Sequence, residues 1–224
     1  MPRLDRHISA HTGANRKDVR LMLAQGRITV DGCIATDTAQ VINQFSHVTL
    51  DGKTTQAKTA HYLKLNKPKG VVCATKDAEH TTVIDLIDKP WKGELHIAGR
   101  LDYNSTGLVL LSNDGQWTRK LSLPGNRLPK RYRVRTEQRI LPAYVHAFEE
   151  GMYFDFEDIT TRPSQLKILS EFEAEVTLVE GRYHQIKRMF GQFDNKVLEL
   201  HRFAIGDYEL GDLQSGQSKI LVTS

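Results

Sequence analysis

The sequence predicts an α+β protein in two parts: a small basic domain with its linker over residues 1–58, then a mixed, largely antiparallel sheet with flanking helices over residues 59–224. Three observations carry the prediction. A chain of 224 residues that is 39% hydrophobic and 26% charged can bury one substantial core and a small second one. The N-terminal stretch holds two short basic helical patterns and two Asp-Gly turns, the sign of tight hairpins. Farther on, strand-like runs do not alternate one for one with long crossover helices, which disfavours a doubly wound parallel sheet.

Residues 3–11 read as a short helix with Leu4 and Ile8 on one face. A second helix runs from about Arg16 to Gln25, with Asn15 as its cap, Asp18 at its third position where the dipole favours an anion, and Gly26 to end it. Arg16 and Arg20 then lie one turn apart. The alternation Arg27-Ile28-Thr29-Val30 leads into Asp31-Gly32, and Val48-Thr49-Leu50 leads into Asp51-Gly52. From Gly52 to about Ala60 the chain is polar and lacks periodicity, which reads as a linker. In the body, strands are expected at 61–66, 70–74, 108–112, 131–136, 174–179 and about 198–203. Helices are expected at 82–87, 115–122, 141–150 and 183–193.

The formal charge is +4 and the isoelectric point about 9.0, a modest excess whose placement says more than its size. Arg3, Arg6, Arg16, Lys17, Arg20 and Arg27 face only Asp5 and Asp18 in the first thirty residues, the concentration that a phosphate-binding surface needs. Cys33 and Cys73 have no metal-type partner nearby, which argues against a disulfide scaffold. No run approaches the ~20 apolar residues of a membrane span, and the opening Met-Pro-Arg-Leu-Asp lacks the apolar core of a secretory signal, so a cytoplasmic protein is expected. His7 and His11 have the i, i+4 spacing of zinc ligands. They lack the glutamate of the hydrolase motif and a third ligand, so no metal site is expected. Asn113-Asp114-Gly115 reads as a turn rather than a calcium loop.

Three stretches could carry chemistry. In Gly99-Arg100-Leu101-Asp102-Tyr103-Asn104-Ser105-Thr106-Gly107-Leu108, a lone carboxylate lies at the mouth of a buried strand, two residues after a cation. Asn104, Ser105 and Thr106 can donate hydrogen bonds locally, and Gly107 lets the backbone turn sharply. Taken alone, such an acid reads first as an Asx-turn residue closing a loop before a strand, and it has no sequence partner for a glycosidase pair. The run from Lys130 to Arg135 alternates, with Tyr132 and Val134 on one face and Arg131, Arg133 and Arg135 on the other. Tyr132 reads first as core packing, and as a ring for base stacking only in an RNA-binding context. In Glu180-Gly181-Arg182-Tyr183-His184-Gln185-Ile186-Lys187-Arg188-Met189-Phe190, a turn opens a helix whose buried face is Ile186, Met189, Phe190 and Phe193. Arg182 and Arg188 add charge near the helix start, where the dipole disfavours cations unless a phosphate or carboxylate is at hand.

In order and kind, these stretches resemble the motifs of pseudouridine synthases of the ribosomal small subunit pseudouridine synthase A family. The likeness rests on Gly-Arg-Leu-Asp ending at Asp102, the Lys-x-Tyr strand at Lys130 and Tyr132, and the Gly-Arg-x-x-Gln-x-basic turn from Gly181 to Lys187. Leu65-Asn66-Lys67-Pro68-Lys69-Gly70 and Leu198-Glu199-Leu200-His201-Arg202 add to it. The helix start Tyr-His-Gln-Ile-Lys-Arg-Met-Phe resembles the small-subunit members, whereas large-subunit members more often show an Asn-Arg entry there. Residues 2–50 separately resemble the S-four RNA-binding module, through the Arg-Leu-Asp opening and the Arg-Ile-Thr-Val-Asp-Gly hairpin.

The resemblance implies an RNA-modifying isomerase that converts a specific uridine of small-subunit (16S) ribosomal RNA to pseudouridine and needs no cofactor. Asp102 would break the bond between uracil and ribose as nucleophile or base, and the base would rotate and rejoin through carbon 5. Lys187 would pair with Asp102, and Tyr132, the third catalytic residue, would pack against the flipped uracil and help remove the proton from carbon 5. Arg100 would fill the space that the nucleotide leaves, while Arg182 and Arg188 would join Arg3, Arg16, Lys17, Arg20 and Arg27 in holding RNA. The expected partner is ribosomal RNA or an assembling small subunit, engaged by a monomer away from any membrane. Two alternatives share these residues: a synthase acting on large-subunit ribosomal RNA, and a non-catalytic RNA-binding assembly factor.

Overall fold

A computed structural model describes residues 2–221, apart from the side chain of Pro124. The chain divides into two compact units, Met1–Ala60 and His61–Ser224. In the first, α1 (Leu4–Thr12) and α2 (Arg16–Ala24) precede β1 (Ile28–Val30), β2 (Cys33–Ile34), β3 (Val48–Leu50) and β4 (Lys53–Gln56). The sheet order is β2-β1-β3-β4. The Asn15 side chain accepts from the amides of Lys17 and Asp18 and so caps α2. Both Asp-Gly pairs take positive φ, 51° and 82° at Asp31 and Gly32 and 50° and 74° at Asp51 and Gly52, the turn whose twist suits a two-residue hairpin. Leu4, Ile8, Val19, Leu23, Ile28, Ile42 and Val48 share one buried core.

The linker expected from Gly52 onward is corrected by β4, which pairs antiparallel with β3. Its half-exposed Lys-Thr-Thr-Gln composition shows no apolar alternation, because the Asp51-Gly52 turn sets the register without help from a buried face.

The second unit is built on a nine-stranded sheet. Its elements are β5 (Tyr62–Lys67), β6 (His96–Ala98), β7 (Thr106–Ser112), α3 (Gly115–Ser122), β8 (Lys130–Thr136) and α4 (Ala143–Glu150), then the small hairpin β9 (Tyr153–Phe154) and β10 (Ile159–Thr160). There follow β11 (Gln165–Ile168), β12 (Glu173–Leu178), α5 (Gln185–Gly191), β13 (Val197–Ile205), β14 (Tyr208–Glu209) and β15 (Ser218–Ile220). The sheet runs β11-β12-β8-β13-β7-β5-β15, with β14 beside β13 and β6 beside β7. Among the described strands, β7 and β13 alone pair parallel, so the sheet is mixed and largely antiparallel. Leu108 and Leu110 enter one core with Leu121 and Ile205, while Val109 and Leu111 enter the other with Val134, Phe148 and Phe190. A strand buried on both faces reads as a continuous apolar run, as 108–111 does.

Two expected elements are absent from the described residues. Residues 70–74 make only an isolated bridge, Val72 to Thr82, and 83–86 form a turn rather than a helix over 82–87. Thr82 donates to Asp85 Oδ2 through its amide (2.8 Å) and its hydroxyl (2.9 Å), and the Asp85 amide returns to Thr82 Oγ1 (3.2 Å). This reciprocal box satisfies one turn, and the β-branched Thr82, Val83 and Ile84 give it little propensity to continue. The helix expected at 183–193 is shorter: it starts after His184, whose φ of +49° is left-handed, and Phe193 packs from beyond its end. Strands β6, β9, β10, β11, β14 and β15 escaped the sequence reading because segments of two to four residues show no period. Asp114, expected in a turn, caps α3 by accepting from the amides of Gln116 (2.9 Å) and Trp117 (3.2 Å).

Candidate active site

Asp102 lies in the loop between β6 and β7, just ahead of the parallel pairing. Gly107 permits that pairing: at its φ of +105° an added Cβ would stand 2.1 Å from the carbonyl oxygen of Arg202, its partner across the ladder. The Arg202 side chain is buried and grips the loop from below. Its Nε donates to the Leu108 carbonyl (2.9 Å), Nη2 to that of Gly99 (2.6 Å) and Nη1 to that of Arg100 (3.4 Å). A planar guanidinium can serve several carbonyls at once. Lys67, fully buried at the end of β5, grips the other flank, donating to the carbonyls of Ser105 (2.8 Å), Pro68 (2.9 Å) and Tyr103 (3.3 Å). Burial pushes its ammonium below the ordinary lysine range. Two buried cations thus fix the backbone that presents the acid.

The Asp102 carboxylate turns toward α5. Lys187 Nζ donates to its Oδ2 at 3.1 Å, and His184 Nε2 stands 3.4 Å from the same oxygen. Asp102 and Tyr132 line one cleft of about 490 Å³, and the Tyr132 ring centroid is 6.0 Å from the Arg202 guanidinium carbon. Lys130, two residues before Tyr132, also lines it, with its ammonium lowered by burial and by Arg202. Asp102, Tyr132 and Lys187 therefore converge from the β6–β7 loop, β8 and α5.

The local donors expected for Asp102 do not reach its carboxylate. Thr106 Oγ1 bonds His201 Nδ1 at 2.8 Å, Asn104 is exposed, and Ser105 Oγ is buried in the cleft wall with no hydrogen-bond partner among the described residues. The backbone closes the turn instead, Ser105 N donating to the Asp102 carbonyl at 3.1 Å, and this leaves the carboxylate free to face α5.

Of the residues expected to hold RNA, Arg100 and Arg182 line the cleft. Arg188 does not: it bonds both carboxylate oxygens of Glu157 (2.6 and 2.5 Å), lies 3.8 Å over the Phe154 ring and holds the Glu157 carboxyl below its usual range. Carboxylates also answer the other cations near the start of α5, Asp102 for Lys187 and the buried Glu180 for Arg182 at 3.2 Å. Glu180 is itself fixed by Gln185 Nε2 (2.7 Å) and the Arg162 amide (2.9 Å). In the first unit, Arg3 bonds Asp5, Arg27 bonds Asp51, and Arg16 stands 3.6 Å from Asp5. Lys17 and Arg20 are exposed on α2, with no ion pair among the described residues. The same residues contain no cluster of three potential metal ligands and no helix long and apolar enough to cross a membrane.

The family model for RNA pseudouridylate synthase matches residues 61–192, the stretch that holds all three converging side chains. The chain belongs to the RNA pseudouridylate synthase family. This synthase is 50% identical over 206 residues to the ribosomal small subunit pseudouridine synthase A of Pseudomonas aeruginosa, with 92% of the chain and 90% of that protein covered. The protein of the same name from Pasteurella multocida is 39% identical over 221 residues, with 98% and 95% covered. A crystal structure of a pseudouridylate synthase matches with a TM-score of 0.71 at 36% identity, covering 99% of the synthase and 96% of the other chain. The synthase is an isomerase.

Proposed function

We propose that the synthase converts one uridine of small-subunit ribosomal RNA to pseudouridine, with the reacting nucleoside held in the Asp102 cleft. The observation that carries this is a carboxylate and an aromatic ring, Asp102 and Tyr132, lining one cavity of nucleoside size, about 490 Å³, with the Lys187 ammonium bonded to that carboxylate at its edge. Lys187 and His184 both address Oδ2, and Oδ1 remains for the nucleoside. Asp102 acts as nucleophile or base in breaking the bond between the ribose anomeric carbon and uracil N1. The uracil then turns, carbon 5 bonds to the same ribose carbon and gives up its proton, and N1 gains one. Atoms and electrons balance within the substrate, so the reaction calls for no cofactor. Tyr132 supplies a face for the base, and the unpaired Ser105 hydroxyl is a hydrogen-bond donor or acceptor within the cleft wall.

Extrusion of a nucleotide costs a few kcal/mol, which phosphate and stacking contacts must offset. The Met1–Ala60 unit supplies part of this as an S-four-like RNA-binding module, with Lys17 and Arg20 among its uncommitted cations. The names of the relatives favour small-subunit over large-subunit RNA. In this reading the synthase acts as a monomer in the cytoplasm, and a ribosomal RNA substrate supports that location.

Replacing Asp102 by Asn, nearly isosteric, tests the reading. Asp102→Asn is expected to bind the RNA within about threefold of wild type and to form no pseudouridine. Product at the normal rate would remove Asp102 from the mechanism.

A further inference from the structure

We infer that a second cleft adjoining the first is a phosphate subsite for the RNA strand beside the target uridine, an inference that rests on the substrate reading above. This cleft encloses about 720 Å³, with Lys69, Asn104, Lys187, Asp194 and Lys196 in its walls. Lys187 lines the second cleft while its ammonium bonds Asp102 of the first, and Leu200 lines both. The Asp102–Lys187 pair is therefore the partition between them. A polymer with one nucleoside turned into the first cleft must continue through a phosphodiester on either side, and the adjoining cleft gives one of these a path.

The charges in the second cleft suit a phosphodiester. Lys187 is balanced by Asp102, which leaves Lys69 and Lys196 as cations with no ion pair among the described residues, opposed in the cleft by the Asp194 carboxylate. Neighbouring Glu199 is bonded to Arg135, and its carboxyl is lowered chiefly by that arginine and to a lesser degree by Lys69. Asn104 adds a neutral donor, whereas Asn195 is committed to Gln138 through both ends of its amide. Both lysines stand on fixed backbone. The Gly70 amide donates to the Tyr103 carbonyl at 3.0 Å, tying the Lys69 loop to the Asp102 loop, and the Glu137 amide donates to the Lys196 carbonyl at 2.9 Å. Cations prepositioned in this way lose less freedom when a strand arrives.

The experiment compares Lys69→Gln/Lys196→Gln with Lys89→Gln/Lys219→Gln, a control that removes two exposed lysines elsewhere. Both are assayed in the full chain on a small-subunit ribosomal RNA fragment, with thermal midpoints checked against wild type. The first pair is expected to raise KM at least tenfold and to leave kcat within twofold. It should also flatten the slope of log affinity against log salt by about 0.7, for the one single-strand phosphate contact that is lost. The control should stay within twofold in KM. One uncharged methylphosphonate linkage beside the target uridine should reproduce the loss in wild type and add nothing to the double variant. A double variant that matches the control in KM and salt slope overturns the subsite, as does a loss confined to kcat. Wild-type activity on the same fragment reports separately on the substrate reading.

Discussion

Lys187 and His184 approach the same oxygen of Asp102, at 3.1 and 3.4 Å, from either side of the point where α5 begins. In the proposed reaction an ammonium fixed there would be the electrostatic partner that orients the acid, and fixed partners of this kind are commonly worth a hundredfold or more in rate. Lys187→Met is accordingly expected to lower kcat by about 100-fold, with RNA affinity in a filter-binding assay changed far less. At this scale the sequence showed Asp102, Tyr132 and Lys187 through their motifs but not His184. Its approach depends on a left-handed backbone at a non-glycine residue, φ +49°, for which the sequence holds no signal. Lys67 and Arg202 appeared only as members of matching runs. That each would be buried against backbone carbonyls of one loop is a tertiary fact.

The elements around the site show the same division. β7 was legible because burial on both faces leaves a continuous apolar run, and β8 because its faces differ so sharply. β4 was not, since its register comes from a turn and its side chains are polar. At the junction of β7 and β13, His201 shares a hydrogen bond with Thr106, and burial, assisted by Arg133, lowers its imidazole below the ordinary value of 6.5. The folded state then binds the proton less readily than the unfolded chain. Its contribution to stability is full above about pH 6.5 and is lost as pH falls through the lower, folded-state value. Urea midpoints measured between pH 5 and 7.5 should therefore fall on the acid side, and His201→Gln should remove that part of the slope.

Across the whole molecule, each unit carries its own core, Leu4, Ile8 and Val19 in one and Leu65, Val109 and Phe190 in the other. Removal of residues 1–60 is expected to leave a folded remainder by circular dichroism, with weaker ribosomal RNA binding and a shallower salt dependence, because Lys17 and Arg20 go with it. Affinity unchanged across a salt titration would dissociate that unit from RNA. The basic N-terminal sequence overstates the charge that this unit has free for RNA. Arg3 and Arg27 are neutralised by Asp5 and Asp51, and the second of these carboxylates lies 24 positions away in the chain.

The clasp formed by Arg202 has a temporal meaning. Gly99, Arg100 and Leu108 are held by a side chain that lies 103, 102 and 94 positions later. A nascent chain that has reached Phe190 already contains the acid, the phenol, the ammonium and the Lys67 flank of the grip, yet the Arg202 half of that grip is missing. Translation products arrested before Arg202 are expected to be inert in a pseudouridine assay, and full-length product released from the same reaction to be active. An enzyme proposed to edit the ribosome's RNA would thereby stay silent until Arg202 itself has been made and has closed on the loop.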